Sequence, residues 1–166
     1  AVIALGMTVS LAACEGQIPT VSAPTESASA NPDLTEDQEQ EMREALLKTI
    51  EDCNEQKNPA NLGQAMSGPE LEIRTSELQV AQKTGKLDPK TTIPTDITQT
   101  VIPTDNGWPR SVFSITTTTE DQQSKRLLVF TQGDARENYK LWGVARLFQG
   151  VEMPKFTVPN IGSQMG

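Results

Sequence analysis

The stretch RLLVFTQGDARENYKLWGVARLF, residues 126–148, decides the fold. Residues 127–131 form a short, nearly continuous apolar run, Gly133-Asp134 supplies turn chemistry, and residues 139–148 alternate again. That pattern predicts two antiparallel strands. On the second strand Leu141, Gly143, Ala145 and Leu147 are expected on one face, with Trp142, Val144 and Arg146 on the other. Gly143 has no side chain to pack, so a bend or bulge is expected there. This strand should be the longest of the sheet.

Working back toward the N-terminus, residues 112–119 are β-branched and alternating, with Phe113, Ile115 and Thr117 on one face. A polar hairpin loop is expected over 120–125 and a turn at Asn106-Gly107. Residues 97–102 read as an earlier strand, confined to an edge by Pro89, Pro94 and Pro103. All seven aromatics (Trp108, Phe113, Phe130, Tyr139, Trp142, Phe148 and Phe156) follow Gly107. The sheet should therefore carry most of the core, because aromatic side chains bury the largest areas.

Helices come first. Thr35 with Gln38 three residues on has capping-box spacing, and Glu36, Asp37 and Glu39 crowd a first turn where the helix dipole favours negative charge. Met42, Leu46, Ile50 and Cys53 recur at helical spacing, with Ala45 and Leu47 widening the stripe, so a helix is expected over 36–56. Asn58-Pro59 stops it. Cys53 on that stripe reads as a small buried hydrophobe. A turn of helix is possible over 60–66. A second helix begins near Pro69, carries Leu71, Arg74, Leu78 and Ala81 on one face and ends at Gly85. The expectation is an α+β fold, with two N-terminal helices packed on a curved antiparallel sheet.

Residues 1–13 hold no charge and end in Leu11-Ala12-Ala13, followed by Cys14. The apolar run and its small-residue end have the form of a truncated secretory signal. Leu11-Ala12-Ala13-Cys14 resembles the lipobox of bacterial lipoproteins. The resemblance implies that Cys14 receives a diacylglyceryl group and becomes the first residue after cleavage. Two acyl chains suffice for stable anchoring in a bilayer. A clipped membrane-spanning helix is the rival reading, and it needs roughly 20 apolar residues. A disulfide from Cys14 to Cys53 is a further rival, exclusive of acylation because the thioether consumes the thiol. The expected organisation is a signal at 1–13, the lipidated Cys14 and a disordered stalk over 14–33, a domain over 34–158, and a tail or linker over 159–166. The stalk is rich in Ser, Thr, Ala and Pro and would span about 25 Å as a flexible coil. The placement that follows is the outer face of the cell membrane.

Net charge is −8 with no histidine. A nucleic-acid partner is not expected, because a phosphate footprint needs clustered Lys and Arg. Without histidine there is no imidazole shuttle, no Ser-His-Asp triad and no His metal ligand. No catalytic residue, metal or cofactor is assigned. Asp134 beside Arg136 reads as turn chemistry with a local ion pair, and the acid pairs Glu51-Asp52 and Glu120-Asp121 read as solvated faces. Charge is uneven, since residues 31–60 are strongly acidic while Arg110, Arg126, Arg136, Lys140, Arg146 and Lys155 make residues 108–156 basic. Those bases could present a surface to an anionic envelope polymer or acidic partner. Screening by the acidic helix is the simpler outcome, because the complement is internal. Trp142 with Arg146, and Arg110, are the candidate ligand-binding residues.

Helices followed by a bent antiparallel sheet is the order of the cystatin-like and nuclear-transport-factor-2-like cone folds. The stretches Trp108-Pro109-Arg110, residues 126–132, Asp134-Ala135-Arg136, residues 139–142 and Met153-Pro154-Lys155-Phe156 are similar to a family of uncharacterised actinobacterial lipoproteins. That resemblance implies a fold and a location and brings no activity. Members often continue into another domain, so a clipped C-terminus is expected here. The leading expectation is a non-enzymatic envelope module for a protein or glycan partner. The alternative is a small-molecule-binding, hydrolase or isomerase domain with a carboxylate in the cone pocket. A two-lobed solute receptor is disfavoured, because no alternating βα pattern is present.

Overall fold

A computed structural model describes residues 31–105, 107–118 and 124–164. Cys14, the signal and stalk through residue 30, Asn106 of the expected turn and most of the 120–125 loop lie outside the described residues. The fold is α+β. Helix α1 (Glu36–Gln56) is followed by the 3-10 turn Pro59–Asn61, a one-turn helix α2 (Leu62–Ala65) and helix α3 (Gly68–Thr84). A second 3-10 turn, Pro89–Thr91, leads into β1 (Ile97–Val101), β2 (Arg110–Thr116), β3 (Arg126–Gln132) and β4 (Lys140–Arg146). The strands form one open antiparallel sheet in the order β1-β2-β3-β4. Among the described residues, no helix is long and apolar enough to cross a membrane.

The capping signals of α1 operate as expected. Thr35 Oγ1 accepts from the Gln38 N–H at 3.2 Å, and Gln38 Oε1 accepts from the Thr35 N–H at 3.0 Å. The chain leaves the helix through Lys57 in a left-handed conformation (φ 49°). The buried stripe, however, is rotated from the expected one. Glu39, Arg43, Leu47, Ile50, Cys53 and Asn54 are buried, while Met42 and Leu46 stand at its shoulder, half-buried. The cause is polar. The Glu39 carboxylate, 1 % exposed, takes the Arg43 Nε at 2.9 Å and the Ser114 hydroxyl of β2 at 2.8 Å, tying the first turns of α1 to the sheet.

Helix α3 packs against β4, and Gly85 caps it with φ 74° while donating to the Ala81 carbonyl at 2.8 Å. Leu78 and Ala81 are fully buried, and so is Arg74 at 3 % exposure. Arg74 joins three elements, donating to Asn54 Oδ1 of α1 at 3.0 Å and to the Thr91 carbonyl at 2.7 Å. The main core gathers Leu47, Ile50 and Cys53 of α1, Leu62 and Met66, Val112 of β2, Leu128 and Phe130 of β3, and Leu141 of β4. Burial raises the pKa of the Cys53 thiol. That thiol is a core group, as its position on the stripe suggested.

Both edge strands are bulged. In β1 the register passes from Ile97↔Thr116 to Gln99↔Ile115, which leaves Thr98 as the extra residue. In β4 it passes from Phe130↔Leu141 to Val129↔Gly143, and the extra residue is Trp142. A bulge inserts one residue and so resets the alternation beyond it. Leu141 therefore shares its face with Val144 and Arg146, opposite Phe130, Leu128 and Arg126 respectively. This corrects the simple alternation read from the sequence, although the bulge adjoins Gly143 as anticipated. β4 is also no longer than β2 or β3, at seven residues each. On β2 the face turned to the helices is Val112, Ser114 and Thr116, each 0 % exposed.

The sheet edges are occupied. Ser67 N–H donates to the Leu141 carbonyl at 3.0 Å along β4, and Ser163 N–H donates to the Ile102 carbonyl at 2.8 Å just past β1. Gly68, at the start of α3 with φ 55°, lies under the Trp142 ring; a Cβ there would fall 2.5 Å from the indole Nε1.

Removing the Glu39 carboxylate strands the buried Arg43 cation. Glu39→Ala should cost about 3–5 kcal/mol in a urea unfolding titration. Replacing the group as a whole, by Glu39→Leu with Arg43→Met and Ser114→Ala, should recover most of that loss. A Glu39→Ala midpoint equal to wild type would show that the carboxylate does not tie α1 to the sheet.

Candidate ligand-binding groove

The sequence candidates occupy three separate places. Trp142 is the bulge residue over Gly68, 46 % exposed at the start of α3. Arg146 is turned by that bulge to the helix face, where it pairs in register with Arg126. Arg110 lies at the opposite end of the sheet, paired with Gln132. The bulge is what separates Trp142 from Arg146. Asp134 accepts from the backbone N–H of Arg136 at 2.7 Å and of Glu137 at 3.2 Å, so it serves the turn. Among the described residues it makes no ion pair with the Arg136 guanidinium.

Arg110 lines an open groove of about 690 Å³ between α1 and the β2–β3–β4 end of the sheet. Leu34 and the α1 shoulder residues Met42 and Leu46 form one wall, and Trp108, Tyr139 and Arg110 form another. This is the space that rotation of the α1 stripe leaves open. Its volume lies in the range of small-molecule sites, and an apolar lining with a few polar groups is their usual composition.

The polar end of the groove adjoins a smaller pocket lined by Asp33, with Trp108 and Arg110 shared between the two. The Arg110 guanidinium lies over the Trp108 ring, 4.4 Å from its centroid, and its Nε is 3.3 Å from Asp33 Oδ1. Such stacking on an indole face is a favourable cation–π contact. Asp33 itself is fixed by its backbone N–H, which donates to the Pro103 carbonyl at 3.0 Å. Its other oxygen, Oδ2, is buried with no hydrogen-bond partner. Burial raises the Asp33 pKa against the opposing pull of Arg110, and Asp105 pushes the same way as burial. The Tyr139 hydroxyl is likewise buried and has no partner. Burial, then the Asp33 charge, pushes the Tyr139 pKa up to about 12.

Sequence reading missed both Asp33 and Tyr139. Asp33 falls at the end of the expected stalk, and a tyrosine in an aromatic-rich sheet is ordinarily core. The available signal was the position of Tyr139 at the mouth of β4, just past a turn. Among the described residues, no group of three His, Cys, Asp or Glu side chains could hold a metal ion.

The chain has a single tyrosine, so its ionisation can be followed without ambiguity. Tyrosinate absorption should rise with a midpoint near 12 in the folded protein, against the ordinary 10.0. In the window between those values the folded state holds a proton that the unfolded chain releases, so stability falls as pH rises through it. The fall should be smaller in Tyr139→Phe. Equal alkaline losses in the two proteins would place the hydroxyl in water.

No curated protein and no solved structure matches the chain. The family described as Domain of unknown function (DUF8094) matches residues 30–162. That span takes in every described element from α1 to β4, and both walls of the groove. The chain therefore belongs to the family of the domain of unknown function DUF8094.

Proposed function

We propose that the chain is a lipid-tethered binding module of a bacterial cell envelope, held at the outer face of the membrane through Cys14. Its groove takes a ligand with an apolar body and one polar end. The observation that carries the binding reading is the buried, unpartnered Tyr139 hydroxyl beside Arg110 and Trp108. A buried hydroxyl without a partner costs on the order of 1–3 kcal/mol, and a ligand that supplies the missing hydrogen bond recovers that cost. The envelope placement rests on the lipobox resemblance at Leu11-Ala12-Ala13-Cys14, together with the resemblance to actinobacterial lipoproteins. Helices preceding an antiparallel meander, with a groove between the two layers, support the cystatin-like or nuclear-transport-factor-2-like cone reading. The natural partner in this setting is an envelope protein or glycan.

A second reading has its own support. An enzyme on this fold would need a carboxyl group with a raised pKa near the pocket, and Asp33 has that character. In that case Asp33 would move a proton for a hydrolase or isomerase reaction. The binding reading is preferred because Asp33 is already committed to Arg110 through one oxygen and its side chain is 3 % exposed.

Two measurements test the proposal. Intact mass with fatty-acid labelling of the membrane-extracted protein should show a diacylglyceryl adduct that Cys14→Ser abolishes. Crosslinked capture from intact envelopes should recover one dominant partner, and Trp108→Ala with Tyr139→Phe should reduce recovery about tenfold, or roughly 1.4 kcal/mol. An unacylated native protein would remove the tether. Turnover of an envelope metabolite that Asp33→Asn abolishes would replace the binding reading with the enzymatic one.

A further inference from the structure

At the other end of the sheet, a second cleft lies between α3, the Pro89–Thr91 turn and the ends of β3 and β4, with room of about 160 Å³. Arg126 and Arg146 face it from directly opposed positions of adjacent strands. Like charges opposite one another destabilise a sheet pair. Both guanidiniums donate to the same acceptor, the Lys90 carbonyl, at 3.1 and 3.0 Å. Among the described residues neither has a carboxylate within ion-pair distance. Arg126 is 3 % exposed, and its Nε has no acceptor.

The rest of the cleft does not supply the missing negative charge. Arg74 lies along the wall, donating to Asn54 and Thr91, and its charge is met by Glu77, whose Oε2 is 3.0 Å from Nε without hydrogen-bond geometry. Glu70 accepts from the Val144 N–H and is 3.9 Å from Arg74, and burial raises its pKa. With Lys90 included, the residues lining the cleft carry four cationic side chains and two carboxylates. A buried, unpaired cation is expensive unless a counter-charge reaches it.

We propose that this cleft binds one small phosphate group, held between the guanidiniums of Arg126 and Arg146. A carboxylate carries one charge and presents its two oxygens in one plane, a geometry that a single guanidinium fork matches bidentately. Two forks converging from opposed strands call for an anion with more acceptors and more charge, which a phosphate supplies. The volume admits a single such group. Free phosphate and the terminal phosphate of a larger solute share this chemistry. Glu120 and Asp121 of the β2–β3 connection lie outside the described residues, so the test includes them.

Isothermal titration of the full chain with inorganic phosphate, against chloride at matched ionic strength, should show saturable binding of one phosphate per chain. Arg146→Gln, at an exposed position, should weaken binding at least tenfold while leaving the fold intact. Arg126→Met should abolish it, together with the phosphate-dependent rise in Tm. Glu120→Gln with Asp121→Asn should leave affinity unchanged. A parallel titration with glycerol 3-phosphate distinguishes the sources. Equal affinity assigns the cleft to the terminal phosphate of a larger solute, and binding of inorganic phosphate alone assigns it to the free ion. No binding by wild type, undiminished binding by both arginine variants, or a tenfold gain on removing Glu120 and Asp121 would each overturn the assignment.

Discussion

A carboxylate held at 1 % exposure between a helix and a sheet sets the arrangement of the rest. Glu39 cannot be left without partners there, and Arg43 and Ser114 meet that requirement from different elements. Once Glu39 and Arg43 point inward, helical geometry turns Leu47, Ile50 and Asn54 the same way. Asn54 then meets Arg74 of α3, and Arg74 in turn holds the Thr91 carbonyl. A polar chain thus runs from β2 through α1 and α3 to the turn preceding β1. Buried ion pairs contribute uncertainly to net stability. What this one does contribute is orientation, because an apolar stripe alone would admit several rotations of α1. The rotation it selects leaves Met42 and Leu46 at the shoulder, and that shoulder is the wall of the groove.

The elements were largely legible in the sequence because their determinants are local. Thr35 and Gln38 announce the start of α1, Asn58-Pro59 its end, and Gly85 the end of α3. The strands follow from β-branched runs between turn residues. What was not legible depends on partners distant in the chain. The expected α1 stripe used Met42 and Leu46, because a hydrophobic pattern discounts Glu39 and Arg43 until Ser114 is known to sit opposite. The alternation of β4 failed beyond Leu141 for a similar reason. A bulge depends on the register with β3, and the only local sign of it was Gly143. One extra residue at Trp142 was enough to send Arg146 to the helix face.

The sites follow the same division. Arg110, Arg146 and Trp142 attract notice as exposed-type residues on strands, and each lies at a feature of interest, but they do not converge. Tyr139 and Asp33 look ordinary in the sequence, and their chemistry comes from burial without partners, which no composition reveals. Arg126 was closer to legible. It precedes Leu128 and Phe130 at alternate positions of one strand, so a core-facing parity for those two places a cation inward as well. An arginine on the inner parity of an apolar strand asks what neutralises it.

That question also decides between a diffuse basic surface and a discrete site. The chain carries a net charge of −8, so its long-range field repels anions. At physiological ionic strength this repulsion fades over about 8 Å, and electrostatic steering toward a basic patch would be correspondingly weak. Short-range, desolvated contacts are affected far less. Arg110 illustrates the first half of the argument, since Asp33 of the acidic N-terminal segment already pairs with it. Arg126 and Arg146 illustrate the second, because they meet no such acid among the described residues and Arg126 is withdrawn from solvent. The two concavities sit at opposite ends of β3, roughly 20 Å apart at the rise of an extended strand. Leu128 and Phe130 fill the interval as close-packed core. Coupling between the two concavities would require that core to have two discrete arrangements, and the structure shows one. The groove at Tyr139 and the cleft at Arg126 are therefore best understood as independent sites on one rigid strand.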